Sequence, residues 1–133
     1  MLTQDDLLFL HHFRALTSSH DAERQASKDA LAFEPGRAAG RVASWSLERS
    51  GEFLRRFGRR PLVLSARIVP SALETRLVEV VRALKAHDRS RAAQAALWLV
   101  PERHVAGLLD RLAPLIIFYP SDVVAAERQA ANA

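Results

Sequence analysis

The feature that most constrains the fold is a self-contained helix signal that begins at Ser71. Ser71 and Glu74 have the spacing of a capping box, in which the hydroxyl and the carboxylate each accept a hydrogen bond from a free amide at the start of a helix. Apolar side chains then recur at helical spacing, at Leu73, Leu77, Val80, Val81 and Leu84. Such a stripe must be buried for the helix to be stable in water, so other elements of the chain have to cover it.

Composition predicts that these other elements are helices. The chain of 133 residues contains 19 Leu and 23 Ala, against only 10 Val and 3 Ile. Thr3 can cap a first helix, Pro35 ends a second, Pro101 opens a later one and Ser121 can cap the last. Residues 37–57 are predicted as a further stretch with apolar residues at helical spacing, in which Gly40 and Gly51 favour a break or kink. The sequence therefore predicts a mainly α, compact single-domain bundle of about five to six helices.

Two short apolar runs leave strand and helix open. Leu62, Leu64, Ala66 and Ile68 alternate with other residues, which is typical of a strand, but Pro61 can also occupy the first turn of a short helix. The run 115–119 lies between two prolines and is short enough for a strand. The sequence therefore leaves open whether the bundle includes a minor two-stranded β element, formed by residues around 62–68 and 115–119.

Motifs for catalysis and metal binding are missing from the sequence. With no cysteine, the chain has no thiolate zinc ligand, disulfide or cysteine nucleophile. His11 and His12 are adjacent, so on a helix their side chains point about 100° apart and do not share a face. The five glycines form none of the glycine-rich phosphate or dinucleotide loops. We therefore expect a non-catalytic protein without a metal or cofactor.

No apolar run reaches the roughly 18 residues that a membrane-spanning helix needs. The first residues include Asp5 and Asp6, whereas a secretory signal peptide begins with basic residues. The sequence thus predicts a cytoplasmic protein that is not bound to a membrane.

The distribution of charge is more informative than its sum. The net charge is only +4, but residues 1–34 carry −3, residues 35–91 carry +8 and residues 92–133 carry −1. These ranges correspond to acidic N-terminal helices, a basic middle, and a C-terminal helical pair with its tail, all within one domain. Of the 19 basic residues, 17 are arginine, which binds phosphate in a bidentate manner. Arginine and alanine are also both favoured by GC-rich coding, as in many bacteria, so composition by itself does not establish a function.

The basic middle predicts contact with the phosphate backbone of DNA or RNA. Its densest point is 55–60, where four arginines surround Phe57 and a glycine. Trp45 or Phe57 can stack on bases if it is exposed. The alternative is that Phe57 packs inward and that the arginine heads are solvated or pair with acids such as Glu48 and Glu52. The predicted nucleic-acid-binding residues are Arg41, Arg49, Arg55, Arg56, Phe57, Arg59, Arg60, Arg67, Arg103 and Arg111.

The last two of these residues belong to a possible helix-turn-helix between Ser90 and Leu112. Ala95 has the place of the small residue in the first helix, and Arg103 and Arg111 would face outward from the second. That second helix carries as many acids as bases and lacks the amide and hydroxyl side chains that read base edges. An antiparallel pair of core helices is the alternative.

A second functional hypothesis needs no nucleic acid. A small helical domain without catalytic motifs can dock onto a larger protein assembly as an adaptor or chaperone-like subunit, and Arg and Trp are common anchors at such interfaces. The two hypotheses combine if the protein is a small subunit of a nucleoprotein complex.

Overall fold

In a computed structural model, the chain forms a helical bundle, and the structure describes residues 2–33, 37–65 and 69–119. The helices are α1 (Gln4–Leu16), α2 (Asp21–Phe33), α3 (Arg37–Phe57), α4 (Ala72–Lys85), α5 (Arg89–Leu99) and α6 (Glu102–Leu112), followed by a 3-10 helix (Ala113–Phe118). The mainly α prediction is confirmed. The helix predicted to start at Ser121 lies outside the described residues. None of the helices in these ranges is long and apolar enough to cross a membrane.

The helix starts follow the local signals in the sequence. Ser71 and Glu74 form the predicted capping box at the start of α4. Thr3 caps α1, and the third residue of that helix, Asp6, completes a second capping box. Side-chain caps satisfy amides that have no partner inside the helix, so these residues fix the starts of two helices locally.

The core lies where α3, α4, α6 and the 3-10 helix meet, with α2 packed on α3 and α5 packed on α4. Phe9 and Phe13 of α1 are fully buried and reach the 3-10 helix through a ring stack between Phe9 and Phe118. The apolar stripe of α4 is covered as required, since Leu77, Val80 and Val81 are all inaccessible to solvent. The bundle therefore buries the face that the sequence marks most clearly.

The described part of the first predicted strand, residues 62–65, pairs with no other strand. Leu62 and Leu64 pack against the core while Val63 is exposed, which explains the alternation in the sequence. The backbone is held by side chains instead of a second strand: the Ser65 amide donates to Glu74 Oε1 at 3.0 Å, and Ser71 Oγ donates to the Val63 carbonyl at 3.0 Å. Residues 66–68 lie outside the described part of the chain.

The second predicted strand is helical. Residues 113–118 form the 3-10 helix, with Pro114 in its first turn, where the missing amide costs no hydrogen bond. Leu115 and Phe118 are buried, and their separation of three residues places them on one face of a helix with three residues per turn. The described residues therefore contain no two-stranded β element.

Helix α3 is continuous through Gly40 and Gly51. Both glycines allow close packing of other elements on α3. A Cβ atom on Gly40 would lie 2.0 Å from the carbonyl oxygen of Leu31 in α2, and one on Gly51 would lie 2.5 Å from a methyl carbon of Thr17. Only glycine lets α2 and the end of α1 approach α3 this closely.

Candidate nucleic-acid interface

The arginines between 55 and 60 do not share one surface. Helix α3 ends at Phe57, and the chain turns at Gly58, whose amide donates to the Leu54 carbonyl at 2.8 Å. Arg55 points toward the end of α1, where its guanidinium donates to the Thr17 carbonyl at 2.5 Å. Arg56 lies on a different face of α3, where it lines a cleft together with Phe57 and Arg111 of α6.

Arg59 and Arg60 bind the end of α5. The Arg59 amide donates to the Leu99 carbonyl at 2.8 Å and its Nε donates to the Leu97 carbonyl at 2.7 Å. Arg60 donates to the Trp98 carbonyl at 3.2 Å, and its guanidinium lies 4.0 Å from the centre of the Trp98 ring. Helix carbonyls at a C-terminus lack partners within the helix and carry partial negative charge. These two arginines therefore cap α5, although their side chains remain exposed.

Other bases of the middle segment form ion pairs. Arg82 binds the buried carboxylate of Asp6, with Nε 3.0 Å from Oδ1, and Arg76 lies 3.1 Å from Glu79. Burial raises the pKa of Asp6, but hydrogen bonds from Arg82, Tyr119 and Thr3 outweigh this effect and hold it below its usual range. The charge of +8 on residues 35–91 thus overstates what this segment offers to a ligand.

Arg49, Arg56 and Arg111 come together at an open cleft between α3 and α6. The cleft has a volume of about 190 Å³, and its remaining lining residues are Glu52, Phe53 and Phe57. None of the three arginines forms an ion pair with a carboxylate in the ranges 2–33, 37–65 and 69–119. Their contacts are with aromatic rings: Arg111 lies 4.3 Å from the centre of the Phe53 ring, and Arg56 lies 5.1 Å from that of Phe57.

Packed aromatic rings form the base of this cleft. Phe57 stacks on His104 of α6 with ring centres 4.1 Å apart and an angle of 25°, and Phe53 lies 4.8 Å from Phe57. The neighbouring Gly107 leaves room for Phe53, because a Cβ atom there would lie 3.1 Å from the phenyl ring. Since Phe57 already has two aromatic neighbours and is half-buried, it supports the cleft and does not offer a free face to a base.

Arg111 is held in place by two polar contacts. Its Nη1 donates to the Gly107 carbonyl at 2.9 Å, and its own carbonyl accepts a hydrogen bond from Ser46 Oγ. The second contact joins α6 directly to α3, so the three arginines lie on two helices that are bonded to each other. Sequence reasoning identified the arginines but missed Phe53, His104 and Gly107, whose roles depend on the packing of α3 against α6.

Trp45 lies on α3 one turn before Arg49, beside the cleft, and lines a separate groove between α2 and α3. Its side chain is 56% exposed, and the Arg49 guanidinium lies 4.5 Å from its ring centre. The neighbouring Val42 is 47% exposed. An exposed indole next to a cation and an aliphatic side chain is typical of a surface that binds a flat or apolar group.

The other predicted arginines lie at the edges or elsewhere. Arg41 is exposed on α3 and lines a separate groove beside Trp45. Arg103 is exposed on α6, and its Nε donates to His104 Nε2 at 3.3 Å. Arg67 lies outside the described residues. Among the described residues, the Glu48 carboxylate pairs with Lys28 of α2 at 2.7 Å and not with an arginine.

The predicted helix-turn-helix corresponds to α5, a turn at Val100 and Pro101, and α6. Its second helix exposes Glu102, Arg103, Ala106 and Asp110, whereas Arg111 packs over Phe53 of α3. One flank of α6 is thus used for packing on α3, which narrows the surface that it could insert into a groove of DNA.

Among the described residues, no three His, Asp or Glu side chains are grouped so that they could hold a metal ion. Comparisons of the chain with protein-family models, with the sequences of curated proteins and with solved structures find no match. The geometry of the chain itself is therefore the basis for a functional proposal.

Proposed function

We propose that this protein is a non-catalytic nucleic-acid-binding protein that contacts the phosphate backbone through the cleft between α3 and α6. The observation that carries the proposal is the convergence of Arg49, Arg56 and Arg111 on one open cleft, without a carboxylate partner in the described ion pairs. Guanidinium groups bind phosphate oxygens in a bidentate manner, and each neutralised phosphate releases counterions. Arg41 on α3 and Arg103 on α6 are exposed residues of the same two helices and add positive charge outside the cleft.

The mode of binding follows from what lines the surface. The cleft is lined by charged and aromatic side chains, Glu52 among them, and α6 exposes Glu102 and Arg103. The cleft lining that the structure describes therefore contains none of the amide or hydroxyl side chains that read base edges. Contacts of this kind position a protein on the backbone without specifying a sequence. The role that fits best is that of a small subunit in a nucleoprotein complex, with a helix-turn-helix-like regulator as the more specialised form.

The test is the affinity for fluorescently labelled DNA and RNA, measured by anisotropy across a salt series from about 50 to about 200 mM. Each phosphate contact contributes about 0.7 to 0.9 to the slope of log affinity against log salt, so replacement of Arg49, Arg56 and Arg111 together by Ala should flatten the slope by about 2 to 3. A matched control replaces Arg24, Arg76 and Arg91, which removes the same charge from α2, α4 and α5.

A steep salt dependence that only the cleft variant flattens supports the proposal. Equal effects of the cleft and control variants would mean that net charge, and not this site, determines binding. No binding to any nucleic acid at low salt would overturn the proposal.

The exposed Trp45 and Val42 favour one competing function, an adaptor that uses the same surface to bind a protein partner. Trp and Arg are frequent anchors of such interfaces. A partner that is retained after nuclease treatment and lost on Trp45→Ala, together with the absence of nucleic-acid binding, would establish this function instead.

A further inference from the structure

Resting on the function proposed above, we infer that the nucleic acid is single-stranded and that one unpaired base stacks on the exposed indole of Trp45. The starting observation is the difference between Trp45 and the other large aromatic residues of this region. Phe53 and Phe57 pack against His104, whereas Trp45 is 56% exposed and is contacted by the Arg49 guanidinium. The Trp45 ring has the Arg49 guanidinium as one flat partner, and its exposed surface can gain binding energy by stacking on a base.

The arrangement along α3 suits a strand that runs parallel to the helix. Trp45, Arg49 and Arg56 are four and seven residues apart, so they lie on one face of the helix. At 1.5 Å per residue they span about 16 Å, which matches a few nucleotides of an extended strand. A base on Trp45 would thus be followed by phosphates at Arg49 and in the cleft formed by Arg56 and Arg111.

The chemistry of this face favours unpaired bases over a duplex. In a duplex, the flat face of each base is covered by its neighbours, so an indole on a helix surface has nothing to stack on; in a single strand, that face is available. Within residues 39–57 of α3, the exposed side chains also include no amide or hydroxyl group that reads base pairs from a groove. They are Arg41, Val42, Trp45, Arg49, Glu52, Arg55 and Arg56. Binding is therefore expected to tolerate many sequences.

Trp98 provides an internal control for a fluorescence test. Its ring is partly buried, with Arg60 4.0 Å and Arg76 5.6 Å from its centre. In Trp98→Phe, Trp45 is the remaining tryptophan, and its emission should be quenched by a single-stranded thymidine or uridine oligomer of about 12 nucleotides. In Trp45→Phe, the emission of Trp98 should not respond to the same oligomer.

Affinity measurements complete the test. Trp45→Leu should weaken binding to the oligomer about tenfold and leave binding to a duplex of the same length unchanged, while Trp45→Phe should retain most of the affinity. An abasic oligomer, which offers phosphates but no bases, should bind the wild-type protein about tenfold more weakly than the thymidine oligomer, and Trp45→Leu should bind both equally.

The outcomes separate this inference from the proposed function. If the duplex binds as tightly as the single strand, or if Trp45→Leu weakens both equally, the inference is wrong while backbone binding stands. If the abasic oligomer binds wild-type protein as well as the thymidine oligomer, base stacking is excluded without reliance on a variant. If neither form binds at low salt, both proposals fail.

Discussion

Lowering the pH from 7 to 5 should destabilise the fold through one buried imidazole, that of His12. The side chain is 4% exposed, its Nδ1 lies 2.5 Å from Ser27 Oγ of α2, and its ring stacks on Phe118 at 5.8 Å. Burial, together with the neighbouring His11, lowers the pKa of His12 from 6.5 to about 4. The folded protein therefore keeps this group neutral at pH values where the unfolded chain protonates it.

The sign and size of the effect follow from these two values. Between pH 6.5 and 4 the unfolded state binds one more proton at His12, so the free energy of unfolding falls by about 1.4 kcal/mol for each pH unit of acidification. The contribution is fully present above pH 6.5 and about 2 kcal/mol of it is lost at pH 5. The pKa values of Asp6 and Glu74 are lowered from 3.8 and 4.5, so their stabilising contributions are lost only at lower pH.

Urea unfolding at pH 7 and pH 5, followed by circular dichroism, measures the difference. His12→Asn should be less stable at both pH values, since it loses the ring stack, but should show well under 1 kcal/mol of the pH-dependent loss. His11→Asn is the matched control, because His11 is exposed on the same helix turn, and it should retain most of the loss. This reasoning is refuted if His12→Asn shows the full decrease of about 2 kcal/mol in the free energy of unfolding between pH 7 and pH 5, or if the wild-type protein shows no decrease.

Two further predictions concern the packing of α1 and α3. Asp6→Asn should lower the free energy of unfolding by about 2 kcal/mol in the same urea titration. The reason is that it removes the charge that accepts hydrogen bonds from Arg82 and from Tyr119 Oη, the latter at 2.6 Å. The control Asp5→Asn, in the same helix turn, should change the free energy of unfolding little. Gly40→Ala should lower the free energy of unfolding by at least about 2 kcal/mol, although alanine has the better helix propensity, because the new methyl group meets the backbone of α2. A rise in the melting temperature would contradict this contact.

Much of the candidate site was accessible from the sequence, but its grouping was not. Arg49, Arg56 and Arg111 were predicted individually as binding residues, and Trp45 as a stacking residue. The cluster at 55–60, however, is dispersed over three directions because α3 ends within it and the chain turns. A cluster of charge in sequence becomes a patch in space only when the backbone keeps its side chains on one face.

The buried carboxylates were also beyond sequence reasoning. In the sequence, Glu74 reads as a capping residue and Asp6 only as an acidic residue near the start of the chain; in the structure both complete capping boxes. Each also binds an arginine on a distant helix: Asp6 binds Arg82, and Glu74 binds Arg14 with Oε1 3.1 Å from Nη2. A capping box is visible within four residues, whereas an ion pair across 60 or more residues depends on how the helices pack.

The sequence by itself determined the six α-helices of the described residues, since caps, prolines and apolar periodicity act within a few residues and these signals place the helix starts. It also determined which helix face is buried in α4. It did not determine the 3-10 helix over 113–118, which it left open as a strand. The tertiary structure alone decided which arginines cap α5, which pair with buried carboxylates and which line the open cleft beside Trp45. These choices depend on groups that are far apart in the chain and meet only when α3 packs against α6 and α1 against α4.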